Sequence, residues 1–139
     1  MKYFKTLGVT KNYNGSLLYN HETKKAYSYE WYEIARVMSE EFAIVNTYTY
    51  SNTTAKHVGQ ISGFIRNELG ISNIVKLQAP RGLQSLDSIL DHYETLIKNL
   101  EAKIAKPRTH KAKNLERKNQ IRQHQLAMDV AKNLLGGNQ

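Results

Sequence analysis

The chain has 139 residues, 40% of them hydrophobic, with 20 basic against 12 acidic side chains, a formal net charge of +8 and no cysteine. That length suits one domain, or one small domain with an appendage. Lack of cysteine excludes a disulfide framework, a thiolate zinc site and a cysteine nucleophile. No apolar run nears the roughly 18 residues of a membrane span, and Met1-Lys2-Tyr3-Phe4-Lys5 lacks the apolar stretch of a signal peptide. The expectation is a cytoplasmic protein with no membrane partner.

The N-terminal half reads as strands. Asn14-Gly15 is a hairpin dipeptide, because both residues tolerate the positive φ of a tight turn. It separates a strand near residues 3–12 from one near 16–20. A turn around Asn20–Lys24 leads to a third strand from Ala26 to about Met38, with a strand pair or a short helix as alternatives, since Trp31, Tyr32, Ile34 and Val37 fit either period. Ser39-Glu40-Glu41 turns the chain again. Phe42–Tyr50 then alternates, with Phe42, Ile44, Asn46, Tyr48 and Tyr50 on one face. Tyrosines at 27, 29, 48 and 50 fit cross-strand packing better than a ligand platform. Such short connections give an antiparallel meander of three to five strands. A helix follows from about Thr53 to Leu69, with Ser51, Asn52 and Thr53 as candidate caps and Gly70 as its stop. Residues 71–77 could add one more strand, and Ala79-Pro80-Arg81-Gly82 breaks the chain in two.

Beyond the break the pattern is helical. Leu83, Leu86, Leu90, Tyr93, Ile97, Leu100 and Ile104 alternate gaps of three and four, a coiled-coil seam. Pro107 ends it. A second helix from about Thr109 to Leu135 keeps that rhythm only in its later turns, at Ile121, His124, Met128, Ala131 and Leu135. The fold class is therefore α+β: a small antiparallel β-meander packed with one helix over residues 1–79, then an antiparallel helical hairpin over 83–135.

The charge is concentrated. Lys103, Lys106, Arg108, Lys111, Lys113, Arg117, Lys118 and Arg122 face a single acid, Glu116, within twenty residues. Charge runs are ordinarily solvated helix surface. These, however, fall at the bend of the hairpin and on the half of its returning helix that has no apolar seam. Like charges so crowded repel one another, and a polyanion relieves that repulsion by releasing its counterions. Aromatic residues are absent from the window, so neither base stacking nor sequence readout is expected of it.

Other chemistry is thinner. Ser51, Thr53, Thr54, Lys56 and His57 gather at the start of the first helix, where unpaired N–H groups favour an anion. The same residues also make an ordinary polar cap. There is no phosphate loop of the GxxxxGK[ST] type. His21, His57, His92, His110 and His124 form no metal-binding spacing, so neither metal nor cofactor is expected.

The segment Tyr50-Ser51-Asn52-Thr53-Thr54-Ala55-Lys56-His57, with a hairpin before it and an amphipathic helix after it, resembles small uncharacterised proteins of tailed bacteriophages. The resemblance covers roughly residues 16–66. It implies a phage accessory protein acting in a bacterial cytoplasm, and carries no activity with it. The reading that follows is a non-catalytic protein whose basic hairpin binds nucleic acid or a host nucleoprotein complex, as a host-takeover or defence-inhibiting factor. Two alternatives stand beside it: a homodimer held by the heptad seam, and an enzyme acting on a phosphate or nucleotide at the Thr53–His57 turn.

Overall fold

A computed structural model of the protein describes residues 1–106 and 111–136. The chain divides into two compact units, Met1–Ser85 and Leu86–Gln139. The first is a seven-stranded sheet with one helix; the second is a helix pair. The class is α+β.

The strands lie in the sheet in chain order: β1 (Lys2–Phe4), β2 (Val9–Lys11), β3 (Leu17–Asn20), β4 (Lys25–Ser28), β5 (Tyr32–Val37), β6 (Phe42–Asn46) and β7 (Asn73–Leu77). All neighbours are antiparallel except β6 and β7, which run parallel because α1 (Asn52–Asn67) crosses between them. The sheet is thus a six-stranded meander closed by a β-α-β step, larger than the expected three to five strands. Two expected strands are hairpins. Residues 3–12 fold back at Gly8, whose φ of +63° is open to glycine without strain. Residues 26–38 reverse at Tyr29 and Glu30, both in the left-handed region, at +54° and +70°.

The strand pair was one of the readings open for this stretch, but the place of its reversal was hidden because bulky residues rarely adopt positive φ, at a cost of about 1–2 kcal/mol each. Neighbouring contacts hold it. The Tyr29 N–H donates to the Ser16 carbonyl at 2.7 Å, and Gln84 Nε2 donates to the Trp31 carbonyl at 2.8 Å. The strand expected over 42–50 stops at Asn46, so Tyr48 and Tyr50 are not strand residues. Likewise Tyr27 lies in β4 while Tyr29 lies in the turn. Trp31 and Tyr50, each about half exposed, instead stack at 6.2 Å beside buried Tyr32.

One face of the sheet carries Leu17, Tyr19, Ala26, Ala35, Ala43 and Val45, packed in one cluster with Ile61, Phe64 and Ile65 of α1. A bulge shapes β5. Lys25 pairs with Arg36 and Ala26 with Ala35, but Tyr27 pairs with Glu33, leaving Ile34 as the extra residue. In a regular strand, residues three apart point to opposite faces. The inserted Ile34 restores parity, so Glu33 and Arg36 share a face and make a two-pronged ion pair at 2.7 and 2.8 Å.

The end of β6 is fixed by a side chain. Asn46, fully buried, donates through Nδ2 to the Ala79 carbonyl at 2.9 Å, and its Oδ1 accepts from the Ala79 and Tyr48 N–H groups at 2.9 and 3.0 Å. Tyr32 also donates, to the Tyr48 and Ala79 carbonyls at 2.6 and 3.0 Å. Burial pushes the Tyr32 phenol up to about 12, so it remains a donor at neutral pH.

The second unit holds α2 (Leu86–Ile104) and α3 (Lys111–Leu135), packed along each other. The helix expected from Leu83 begins instead at Leu86; Leu83 belongs to the first unit, where its N–H bonds to the Glu33 carbonyl at 3.0 Å. Pro107 and Thr109, expected at the bend, lie outside the described residues. Ile89, off the expected seam, is fully buried. Among the described residues no helix is long and apolar enough to cross a membrane.

Replacing Asn46 with alanine strands the Ala79 and Tyr48 N–H groups, and each buried unpaired donor costs about 1–3 kcal/mol. Asn46→Ala should therefore lower the stability of the sheet unit by about 3 kcal/mol. Denaturant unfolding followed by the fluorescence of Trp31, the sole tryptophan, measures this.

Candidate nucleic-acid interface

The eight cations of the basic window fall into distinct groups. At 100° per residue, Lys111, Lys118 and Arg122 lie within about 40° of one another on α3. All three are exposed, and Leu115 and Leu126 on the same face are 64% and 58% exposed. From Lys111 to Arg122 this stripe runs about 16 Å. Lys113 and Arg117 point elsewhere, into a cleft of about 300 Å³ between α2 and α3 that Leu100, Lys103 and Glu116 also line. Arg117 is half-buried and donates to Asn114 Oδ1 at 3.2 Å. Lys106 is exposed just past the end of α2. Arg108 and His110 lie outside the described residues.

Electrostatically the two helices differ. Asp87, Asp91, Glu94 and Glu101 recur at helical spacing along one exposed face of α2, interrupted by Lys98. The α3 stripe carries no acid before Asp129. Among the described residues, Lys111, Lys113, Lys118 and Arg122 pair with no carboxylate; the ion pair of the sheet unit is Arg36–Glu33. Tyr93 of α2 meets His124 of α3 at 5.6 Å, so the expected seam is engaged within the hairpin. Burial lowers the pKa of both His92 and His124, and the His124 charge lowers His92 further.

The polar turn at the start of α1 is built for folding. Ser51 is the N-cap: its Oγ accepts the Thr54 N–H at 3.1 Å and shares a 2.9 Å bond with the Thr54 hydroxyl. Thr54 is fully buried and His57 is 3% exposed, so neither faces solvent; Ser51, Thr53 and Lys56 do. The five expected anion ligands are not brought together on one surface.

His57 turns inward because its ring bridges Ser16, just before β3, and Ser28, at the end of β4. Nε2 lies 2.9 Å from Ser16 Oγ, and Nδ1 lies 2.6 Å from Ser28 Oγ. The network fixes the tautomer. Asn14 Oδ1 accepts the Ser16 N–H at 3.1 Å and lies 2.6 Å from Ser16 Oγ, so the Ser16 hydroxyl proton goes to Asn14. Nε2 must then donate to Ser16, and Nδ1 accepts from Ser28. With its Nε2 protonated, His57 has no lone pair to activate Ser16 as a nucleophile. Thus the Tyr50–His57 segment serves as cap and cross-brace. Sequence spacing could not show this, since Ser16 and Ser28 come from a hairpin 41 and 29 residues away. Among the described residues no group of three or more His, Cys, Asp or Glu could hold a metal ion.

Against this geometry, no family model, no curated protein and no solved structure matches the chain.

Burial holds the His57 pKa below its ordinary value of 6.5. A base disfavoured from protonation in the folded state adds stability above the unfolded pKa and loses it as pH falls through 6.5 toward the folded value. The sheet unit should therefore unfold at lower denaturant at pH 5.5 than at pH 7.5. In His57→Gln the midpoint should be lower at pH 7.5 and change less with pH, as read by Trp31 fluorescence.

Proposed function

We propose that this protein is a non-catalytic accessory factor that binds nucleic acid, bare or within a nucleoprotein complex, through the cationic face of α3. One observation carries the reading: Lys111, Lys118 and Arg122 stand in line, exposed, and unpaired by any carboxylate among the described residues. Unneutralised cations on a rigid helix attract phosphates and gain from released counterions. Lys103, Lys113 and Arg117 at the α2–α3 cleft add positive potential nearby. The likeness of Tyr50–His57 to phage proteins supports a setting in which such a factor acts on host machinery. With no aromatic residue on the stripe, its contacts position the duplex and do not read its sequence.

The opposed charge of the two helices favours a second reading. The acidic face of α2 in one copy suits the basic face of α3 in another, giving a homo-oligomer without nucleic acid. Light scattering of nuclease-treated protein at low salt separates them: a monomer leaves the first reading, and an assembly that dissolves with salt leaves the second.

Binding to a short labelled duplex, followed by fluorescence anisotropy across salt concentrations, tests the proposal. Each lost phosphate contact should flatten the log–log salt slope by about 0.9. Replacing Lys111, Lys118 and Arg122 together with glutamine should thus flatten it by about 3. Absence of binding even at low salt overturns the reading.

A further inference from the structure

The sheet unit holds a cavity of about 440 Å³ where three connections meet: the β3–β4 turn, the β5–β6 turn and the segment after α1. Tyr19, Val37, Leu69 and Ile71 supply its apolar surface, and His21, Lys24, Ser39 and Glu40 its polar groups. That volume lies within the range of small-molecule sites, which pair an apolar lining with a few convergent polar groups.

Tyr19 gives the cavity its chemistry. It is 3% exposed, its ring packs at 5.2 Å on Phe64 and at 4.9 Å on His21, and its hydroxyl has no hydrogen-bond partner among the described residues. Buried phenols ordinarily find an acceptor, and one left without a protein partner calls for an explanation. Desolvation raises its pKa, so it is a neutral donor.

Two of the other polar groups, Ser39 and Lys24, are also donors. Ser39 Oγ already accepts the Glu41 N–H at 3.1 Å, which leaves its own proton to give. The Lys24 ammonium makes no ion pair among the described residues, although Glu40 lines the same cavity. Lys24 itself sits at a φ of +61°, held by its N–H bond to the Asn20 carbonyl at 2.8 Å. His21 is anchored through Nε2 to Thr10 Oγ1 at 2.6 Å, leaving Nδ1. Three donors against one carboxylate, with the ammonium the only cation among them, select a ligand that presents acceptors to Tyr19 and Lys24. The Glu40 carboxylate disfavours a dianion such as a phosphate monoester.

We propose that this cavity binds a small apolar monocarboxylate, its hydrocarbon or aromatic body against Val37, Leu69 and Ile71 and its carboxylate on the Tyr19 hydroxyl and the Lys24 ammonium. The site lies wholly within residues 1–85, and it stands or falls separately from the basic face of α3.

The probes are octanoate and 3-phenylpropionate, with 3-phenylpropylamine as the cationic counterpart, titrated into the full-length protein and followed by amide shifts in ¹H–¹⁵N spectra. Both acids should shift Val37, Leu69 and Ile71 amides at millimolar concentration or below, and the amine should bind more weakly. Tyr19→Phe keeps the ring and removes one bond to a charged acceptor, weakening binding about tenfold or more. Lys24→Gln should act in the same direction, and Leu69→Trp should fill the cavity and abolish binding. Circular dichroism verifies the fold of each variant. No acid-induced shift, equal affinity of Tyr19→Phe, or preference for the amine overturns the proposal.

Discussion

A single buried amide closes the sheet unit. Where β6 ends, the Asn46 side chain takes over the task of backbone, offering one donor and one acceptor to the same residue, Ala79. It thus extends the ladder by one rung after the strand itself has turned away. No apolar side chain of similar size could do this, because the Ala79 N–H would be buried without a partner and its carbonyl would keep only one of its two donors. Tyr32 adds a further bond to that carbonyl, so strand β5 also depends on the position of residue 79. From there the chain continues to Leu83, whose N–H meets Glu33. These polar links therefore form one connected system, from the bulged strand through Asn46 to the last residues before α2.

The same economy of polar groups explains the Tyr50–His57 segment. Its hydroxyls and imidazole look like ligands in sequence because phosphate sites and helix caps draw on the same side chains. In the fold the cap and the imidazole are satisfied internally, Ser51 by Thr54 and His57 by Ser16 and Ser28. Lys111, Lys118 and Arg122 of α3 stand in contrast, exposed and paired with no carboxylate among the described residues. Tyr19 is a third case, buried and yet unsatisfied by any described neighbour.

What could be read in advance follows from how local each signal is. The Asn14-Gly15 turn, the α1 stop at Gly70 and the helical rhythm beyond residue 85 depend on neighbours in sequence, and all were legible. So was the crowding of charge between Lys103 and Arg122. The reversal at Tyr29–Glu30 was not, since its positive φ values are enforced by Ser16 and Gln84 from distant segments. The end of β6 was equally hidden, because alternation runs on to Tyr50 while pairing with β7 and the Asn46 bonds decide the boundary. The division of the basic residues into an outer stripe and a cleft requires knowing which side of α3 meets α2. Tyr19 carried no sequence signal beyond its place in a strand; an unsatisfied hydroxyl is visible only once its surroundings are assembled.

The parallel placement of β7 has a consequence for how the chain is made. Six strands can zip together from hairpins as they emerge from the ribosome, but the seventh must wait until the intervening helix has been synthesised and docked. During that interval Ala43-Ile44-Val45 forms an uncovered border, apolar and rich in pairing groups. A nascent molecule paused there would be sticky toward other incomplete copies, so the helix that later braces the sheet also sets how long its most vulnerable margin stays bare.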